Sequence, residues 1–507
     1  LLMYCHAKLK NISQHTVISA HLFLPDYSPM NRDSFYPAIA CFSLLLMLAG
    51  CAPMHETRQA LSQQTPAAQV DTVLPTALKN GWPDSQWWLE YHDNQLTSLI
   101  NNALQSAPDM QVAEQRIQLA EAQAKAVATQ DGPQLDFSAD MERQKMSAEG
   151  LMGPFALNDP AAGTTGPWYT NGTFGLTAGW HLDIWGKNRA EVTARLGTVK
   201  ARAAEREQTR QLLAGSVARL YWEWQTQAAL NTVLQQIEKE QNTIIATDRQ
   251  LYQNGITSAV EGVETDINAS KTRQQLNDVA GKMKIIEARL NALTNHQTKS
   301  LKLKPVALPK VASQLPDELG YSLLARRADL QAAHWYVESS LSTIDAAKAA
   351  FYPDINLMAF LQQDALHLSD LFRHSAQQMG VTAGLTLPIF DSGRLNANLD
   401  IAKAESNLSI ASYNKAVVEA VNDVARAASQ VQTLAEKNQH QAQIERDALR
   451  VVGLAQARFN AGLIAGSRVS EARIPALRER ANGLLLQGQW LDASIQLTGA
   501  LGGGYKR

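Results

Sequence analysis

The chain is written twice, and each copy contains a stretch too long and too poor in proline to be anything but a very long helix. Residues 176–185 read LTAGWHLDIW and residues 381–390 read VTAGLTLPIF, which align without a gap. Upstream, Ala107-Pro108-Asp109-Met110-Gln111 answers Arg327-Ala328-Asp329-Leu330-Gln331, and Pro133 answers Pro353. Downstream, Gly186 answers Gly393 and Gly255 answers Gly462. Landmarks in one unchanged order mark an internal repeat, and a repeat constrains the fold before any single residue does.

Residues 187–252 and 394–459 lack proline and are rich in alanine, glutamine, glutamate and arginine. Leu230, Ile237, Ile244 and Leu251 fall a heptad apart, while Val417, Val421, Val424, Ala428, Val431 and Ala435 step by alternating fours and threes. That is coiled-coil spacing. A helix of this size is roughly 100 Å long, so it needs neighbours of similar length rather than a globular core. Both end at related turns, Leu251-Tyr252-Gln253-Asn254-Gly255 and Arg458-Phe459-Asn460-Ala461-Gly462, where asparagine and glycine tolerate the left-handed conformation. The chain is expected to reverse there into second helices at about 258–295 and 467–498.

Each long helix is preceded by stretches of period two, the mark of strands with one apolar and one wet face. Leu135, Phe137, Ala139 and Met141 form one apolar row, and Phe174, Leu176, Ala178, Trp180, Leu182 and Ile184 form the next. In the second copy Val381, Ala383, Leu385, Leu387 and Ile389 repeat the pattern, whereas Met358 and Phe360 interrupt Ile355, Leu357 and Ala359. The wet faces offer Thr177, His181, Asp183, Thr382 and Thr386 as candidates for lining a lumen. Four strands cannot enter a bilayer alone, because two open edges would leave backbone groups unpaired in hydrocarbon. Identical copies must therefore complete the wall, giving eight strands in a dimer or twelve in a trimer, and a wide helical duct favours the larger number. Trp168, Tyr169, Trp185, Phe351, Tyr352 and Phe390 stand near strand ends, where aromatic girdles belong.

The cysteines are Cys5, Cys41 and Cys51, all near the amino terminus, so the repeats hold by packing without a disulfide or a cysteine metal site. A short apolar run from Ala38 to Leu48 ends in Leu48-Ala49-Gly50-Cys51, the shape of a secretory signal rather than of a spanning helix. The chain divides accordingly into 1–29, an upstream extension, 30–50, a lipoprotein signal peptide, and 51–92, an amino-terminal linker of the mature protein. The first repeat is 93–295, with a linker at 296–316 marked by Pro305, Pro309 and Pro316. The second repeat is 317–500, followed by a tail at 501–507 whose Gly502-Gly503-Gly504 reads as flexible. A net charge of -2 gives no footprint for nucleic acid. Eleven histidines include no His-Glu-x-x-His pair, His367 and His374 read as loop residues, and nothing suggests catalysis, a metal or another cofactor.

These residues resemble the outer-membrane factors, the TolC-like channels, and specifically their lipoprotein branch that serves multidrug pumps. The resemblance implies a mainly α fold with membrane β-barrel strands: long antiparallel coiled-coil helices forming an α-barrel, four transmembrane strands per chain, two structural repeats and a homotrimeric twelve-strand barrel. It implies a passive exit duct for drugs and other small toxic compounds, lipid-anchored in the bacterial outer membrane and extending into the periplasm. An inner-membrane pump of the RND or another type and a periplasmic adaptor would be its partners. Leu48-Ala49-Gly50-Cys51 looks like a lipobox, which would give Cys51 an S-diacylglycerol and an N-palmitoyl group. The family's tip pattern of aromatic, glycine, serine and acid is kept as Tyr252, Gly255, Ser258 and Glu261. The second tip keeps Phe459 and Gly462 but has Ala465 and Arg468 in the last two places, so Arg458 or Arg468 is expected to pair with Glu261 or Glu264 and hold the aperture shut. Two other cargoes, secreted protein and metal ions, suit the same channel, and a non-channel coiled-coil scaffold would explain the heptads but not the strands.

Overall fold

The computed structural model describes residues 54, 59–64, 81–149, 158–159, 164–165, 167–295, 301–310 and 320–505, all within a compact unit spanning Pro53–Arg507. The upstream extension, the signal peptide and Cys51 lie outside the described residues. The helices are α1 (Asn94–Ser106), α2 (Pro108–Ala128), α3 (Lys187–Gln253), α4 (Ala259–Leu293), α5 (Gly320–Arg326), α6 (Ala328–Ala349), α7 (Arg394–Asn460) and α8 (Gly466–Ala500). The strands of the main sheet are β1 (Gln134–Lys145), β2 (Trp168–Leu182), β3 (Asp354–Ala365) and β4 (Gln377–Thr386). A two-residue ladder, Asn158–Asp159 with Thr164–Thr165, sits in the connection from β1 to β2.

The long helices α3 and α7 each run 67 residues, and α4 and α8 each run 35. Neither long helix is covered by one partner: α3 packs on α2 and α6 toward one end and on α4 and α8 toward the other, and α7 packs on α6 and then on α8. Of the heptad residues, Ile237, Ile244, Val417, Val424, Ala428 and Val431 are buried. Carboxylates at both starts suit the positive end of the helix dipole. Asp183 accepts from the backbone N–H of Asn188 (3.1 Å) and Arg189 (2.9 Å), and Asp391 from those of Gly393 (3.0 Å) and Leu395 (2.8 Å). No helix among the described residues is long and apolar enough to cross a membrane.

Two expectations about the ends of the repeats differ from the structure. The segment 51–92 is not all linker, because Trp87 and Trp88 are buried in the core with Leu96, Ile100, Tyr221 and Trp222. The glycine run is not a loose tail either. Gly502, Gly503 and Gly504 are buried with φ of 94°, 53° and 79°, and a Cβ on Gly502 or Gly504 would strike the backbone carbonyl of Arg326 or Asp84. Three glycines in a row signal flexibility only while nothing packs on them; here they admit a close approach that side chains would block. In the linker between the repeats, residues 301–310 lie against α3 and α8: Gln225 donates to the Lys304 carbonyl (3.0 Å) and Gln487 to the Pro309 carbonyl (3.1 Å).

Candidate functional site

The sheet runs in the order β1, β2, β3, β4, every pair antiparallel, so β1 and β4 each keep one unpaired edge within the chain. Its register sorts the residues cleanly. One face carries the cross-strand rows Phe137-Leu176-Leu361-Met379, Leu135-Ala178-Ala359-Val381 and Trp180-Leu357-Ala383. Most of these side chains are exposed, Phe137 at 67% and Val381 at 81%, while Ala178, Leu357 and Ala359 at the middle of the sheet are half-buried. A soluble sheet covers such a face, so a bare one calls for lipid or a partner.

The opposite face carries Asp136-Thr177-Phe360-Gly380, Gln134-Gly179-Met358-Thr382 and His181-Asn356-Gly384, with Thr386 paired to Asp354. Register thus resolves the blurred strand, since Met358 and Phe360 belong to the wet face together with the threonines. The glycines there are seats for larger neighbours. A Cβ on Gly380 would come within 2.8 Å of the Phe360 ring, and Gly384 and Gly175 lie under Asn356 and Gln362. Thr177, His181, Thr382 and Thr386 share this face. Asp183 does not, because β2 ends at Leu182 and the Asp183 carboxylate caps α3. Ile184, Leu387 and Ile389 likewise fall beyond the strands; Pro388, with no N–H, cannot extend the ladder. His181 Nδ1 lies 3.4 Å from Asp354 Oδ2, an exposed pair of small energetic weight.

Of the aromatics at strand ends, Trp168, Trp185, Tyr352 and Phe390 are exposed, whereas Tyr169 and Phe351 are buried. Trp185 stacks on Tyr352 at 5.0 Å and donates to the Pro353 carbonyl at 2.8 Å. Trp180 donates to the Asp131 carbonyl, also at 2.8 Å. Each indole thus anchors the strand-to-helix junction while leaving ring surface free.

Below the sheet, polar clusters lock the helices together. The half-buried Arg327 guanidinium bonds Asp329 (2.6 Å) and the Ala500 carbonyl (3.1 Å) and lies 3.7 Å from Asp423, tying α6, α7 and α8. Burial alone would lower its pKa, but the two carboxylates outweigh that and raise it. The Tyr336 hydroxyl donates to Glu205 (2.8 Å) and is pushed up to about 12, first by burial and then by that carboxylate. Between α3 and α7, on α8, lies an open hollow of about 920 Å³ with a mixed lining that includes Arg219, Trp222, Arg426, Lys437 and Asp492. Residues so far apart in sequence gave no signal of it.

At the far end both hairpins turn alike. The N–H of Ile256 bonds the Leu251 carbonyl (2.9 Å) and that of Gly255 the Tyr252 carbonyl (2.9 Å); Leu463 and Gly462 repeat this onto Arg458 (2.9 Å) and Phe459 (2.8 Å). This is the Schellman ending, with Gly255 at φ 70° and Gly462 at φ 71°. Ser258 caps α4 through the Val260 N–H (3.2 Å), and its hydroxyl donates to Glu261, whose carboxyl is held below its ordinary pKa chiefly by that bond. Ala465 gives α8 no side-chain cap, and Arg468 bonds Glu471 at 2.7 Å within its own helix. Among the described residues, no ion pair joins Arg458 or Arg468 to Glu261 or Glu264. Tyr252, Phe459, Ile256 and Leu463 are exposed around the turns.

A family model described as outer membrane efflux protein matches residues 99–296 and 319–503. The multidrug resistance outer membrane protein MdtQ of Escherichia coli O6:H1 is 99% identical over 478 residues, which cover 94% of this chain and 100% of that protein. The multidrug resistance outer membrane protein MdtP of Shigella flexneri is 36% identical over 466 residues, covering 91% of this chain and 94% of that one. Among solved structures, the outer membrane protein VceC of Vibrio cholerae superposes with a TM-score of 0.71 at 26% identity, over 84% of this chain and 100% of its own. The Campylobacter jejuni CmeC outer membrane channel superposes with a TM-score of 0.76 at 18% identity, over 90% and 96%, a likeness of fold.

Proposed function

Because this chain belongs to the outer membrane efflux protein family, we propose that it is the exit duct of a tripartite multidrug efflux system, three copies of which close a barrel of twelve strands in the outer membrane. The observation that carries this reading is the four-stranded sheet with a bare apolar face and two open edges. In hydrocarbon each unpaired backbone group costs several kcal/mol, and pairing β4 of one copy with β1 of the next removes every edge. The same operation sets α2, α3, α6 and α7 of each copy side by side as a helical tunnel continuing the barrel.

Such a duct does no chemistry. It offers a wet path, with Thr177, His181, Thr382 and Thr386 on the inner face, and a gate that opens when a periplasmic adaptor and an inner-membrane pump bind the open tip better than the closed one. Tyr252, Gly255, Ser258, Glu261, Arg458, Phe459, Gly462 and Arg468 form that tip. Across the trimeric aperture Arg458 or Arg468 meets Glu261 or Glu264 of an adjacent hairpin; if it is Arg468, it exchanges its partner Glu471 as the gate moves. Cys51, acylated as a lipoprotein, anchors the chain beside the barrel.

Planar-bilayer recording of the purified protein tests the reading: discrete ion conductance from a trimer is expected, and a stable monomer passing no current would overturn it. Arg468→Glu is expected to raise the open probability; unchanged conductance would remove Arg468 from the gate.

A further inference from the structure

An extended stretch near the amino terminus lies along α7, and two asparagines account for its seating. Asn407 accepts from the N–H of Leu61 (2.9 Å) and donates to the carbonyl of Gln59 (3.2 Å). Asn414 accepts from the N–H of Gln64 (2.6 Å) and donates to the carbonyl of Ser62 (2.9 Å). Each side-chain amide thus takes a carbonyl and the N–H two residues later, the pattern by which one strand residue holds another strand. Asn407 and Asn414 are a heptad apart on one helix face, which sets them about 10 Å apart along the axis. The groups they hold recur every three residues, and three residues of extended chain also span about 10 Å. The two periods match, so the pair reads backbone in a fixed register and these four bonds ask nothing of the side chains of residues 59–64.

The direction of the strap matters. Lower residue numbers lie toward the start of α7, which is the end that follows β4 and the sheet. Asn407 sits about 20 Å from that end, and the eight residues from Cys51 to Gln59 reach at most about 28 Å.

We propose that Asn407 and Asn414 form a backbone clamp on α7 that holds residues 59–64 in one register and so sets how far an amino-terminal lipid anchor can reach. The reach statement rests on the reading of Cys51 as the acylated residue; the clamp does not.

Hydrogen exchange read at single amides on the full channel tests the clamp. The Leu61 and Gln64 amides are expected to exchange about tenfold or more slower than those of Ala60 and Gln63, and Asn407→Ala with Asn414→Ala to erase the difference. Both sites are half-buried helix positions where alanine keeps the helix, and Asn→Asp at both, which keeps the acceptor and loses the donor, should retain part of the protection. Equal exchange in the native protein and the alanine pair would overturn the clamp. Deleting residues 55–58 tests the reach, since it cuts the tether to about 14 Å, short of the 20 Å needed. Protection at Leu61 is then expected to be lost in the membrane-inserted protein and retained when Cys51→Ala is exported from a cleavable signal. Protection retained in both backgrounds would overturn the reach inference. Absence of the acyl mass on the intact protein would instead refute the lipid-anchor reading and leave the clamp standing.

Discussion

The first hairpin turns at Gly255 with a capped return helix and an acid, Glu261, in its opening turn; the second turns at Gly462 with an uncapped return helix and a base, Arg468, in the matching place. Their backbones coincide in kind, with the same pair of turn hydrogen bonds and return helices of 35 residues. Every polar device differs. The second return helix also contains Pro475 where the first has Asn268, so the Glu471 carbonyl loses its intrahelical donor. The second hairpin therefore keeps the turn but lacks the side-chain cap and one helix hydrogen bond that the first has. A gate of the kind proposed above needs one element held less firmly than its neighbours, and the second hairpin is expected to be that element.

The proline gives the strongest way to break the contrast. Asn268→Pro should cost the first hairpin about 3 kcal/mol, and Pro475→Ala should tighten the second by up to a similar amount. Site-resolved hydrogen exchange of α4 and α8 reports both, and Pro475→Ala should also lower the open probability in bilayer recordings. If Pro475→Ala leaves the exchange of α8 unchanged, the second hairpin is not the softer one.

Smaller changes sharpen the picture. Gly255→Ala and Gly462→Ala each place a Cβ at positive φ, costing about 1–2 kcal/mol in either hairpin, because this device is shared. Ser258→Ala should cost the first tip about 1 kcal/mol, whereas Ala465→Ser should add up to as much to the second. Thermal melts and tip-amide exchange measure these, and a larger effect of Gly462→Ala than of Gly255→Ala would mean the turns are not equivalent.

The shared features were legible in sequence for a physical reason: period, turn chemistry and proline spacing act locally. The long helices were placed to within a residue, and Gly255 and Gly462 were identified because only a few residues end a helix that way. What the sequence hid depends on contacts between distant segments. Phe360 reads as an error in an alternating strand until Gly380 on β4 is seen to make room for it. Trp87 and Trp88 sit in a stretch without helical period, and their burial depends on α1 and α3 arriving from elsewhere. Asp183 looked like one more wet strand residue, although the strand stops one residue earlier so that its carboxylate can meet α3. The bare edges of β1 and β4 were anticipated by backbone accounting alone, without any motif.

Acid should separate the two tips in the subtlest way. The Ser258 hydroxyl stabilises the Glu261 carboxylate, so its pKa in the folded tip lies below the value it has in the unfolded chain. A lowered carboxyl pKa gives stability that is present above the ordinary glutamate range, near 4.3, and is lost as pH falls through the folded value. Arg468, in the matching place, brings no carboxyl and Ala465 no hydroxyl, so the second tip lacks this device. Lowering the pH from about 5 to 3 should therefore reduce the protection of Val260 and its neighbours relative to their intrinsic exchange rates, with no matching change around Arg468, and Ser258→Ala should move the response to higher pH. Glu261 is fully exposed, so the effect is small, and Glu261→Gln should abolish it. Were both tips to loosen together in acid, the cause would lie in carboxylates common to both, Glu264 and Glu471, rather than in the residue that distinguishes them.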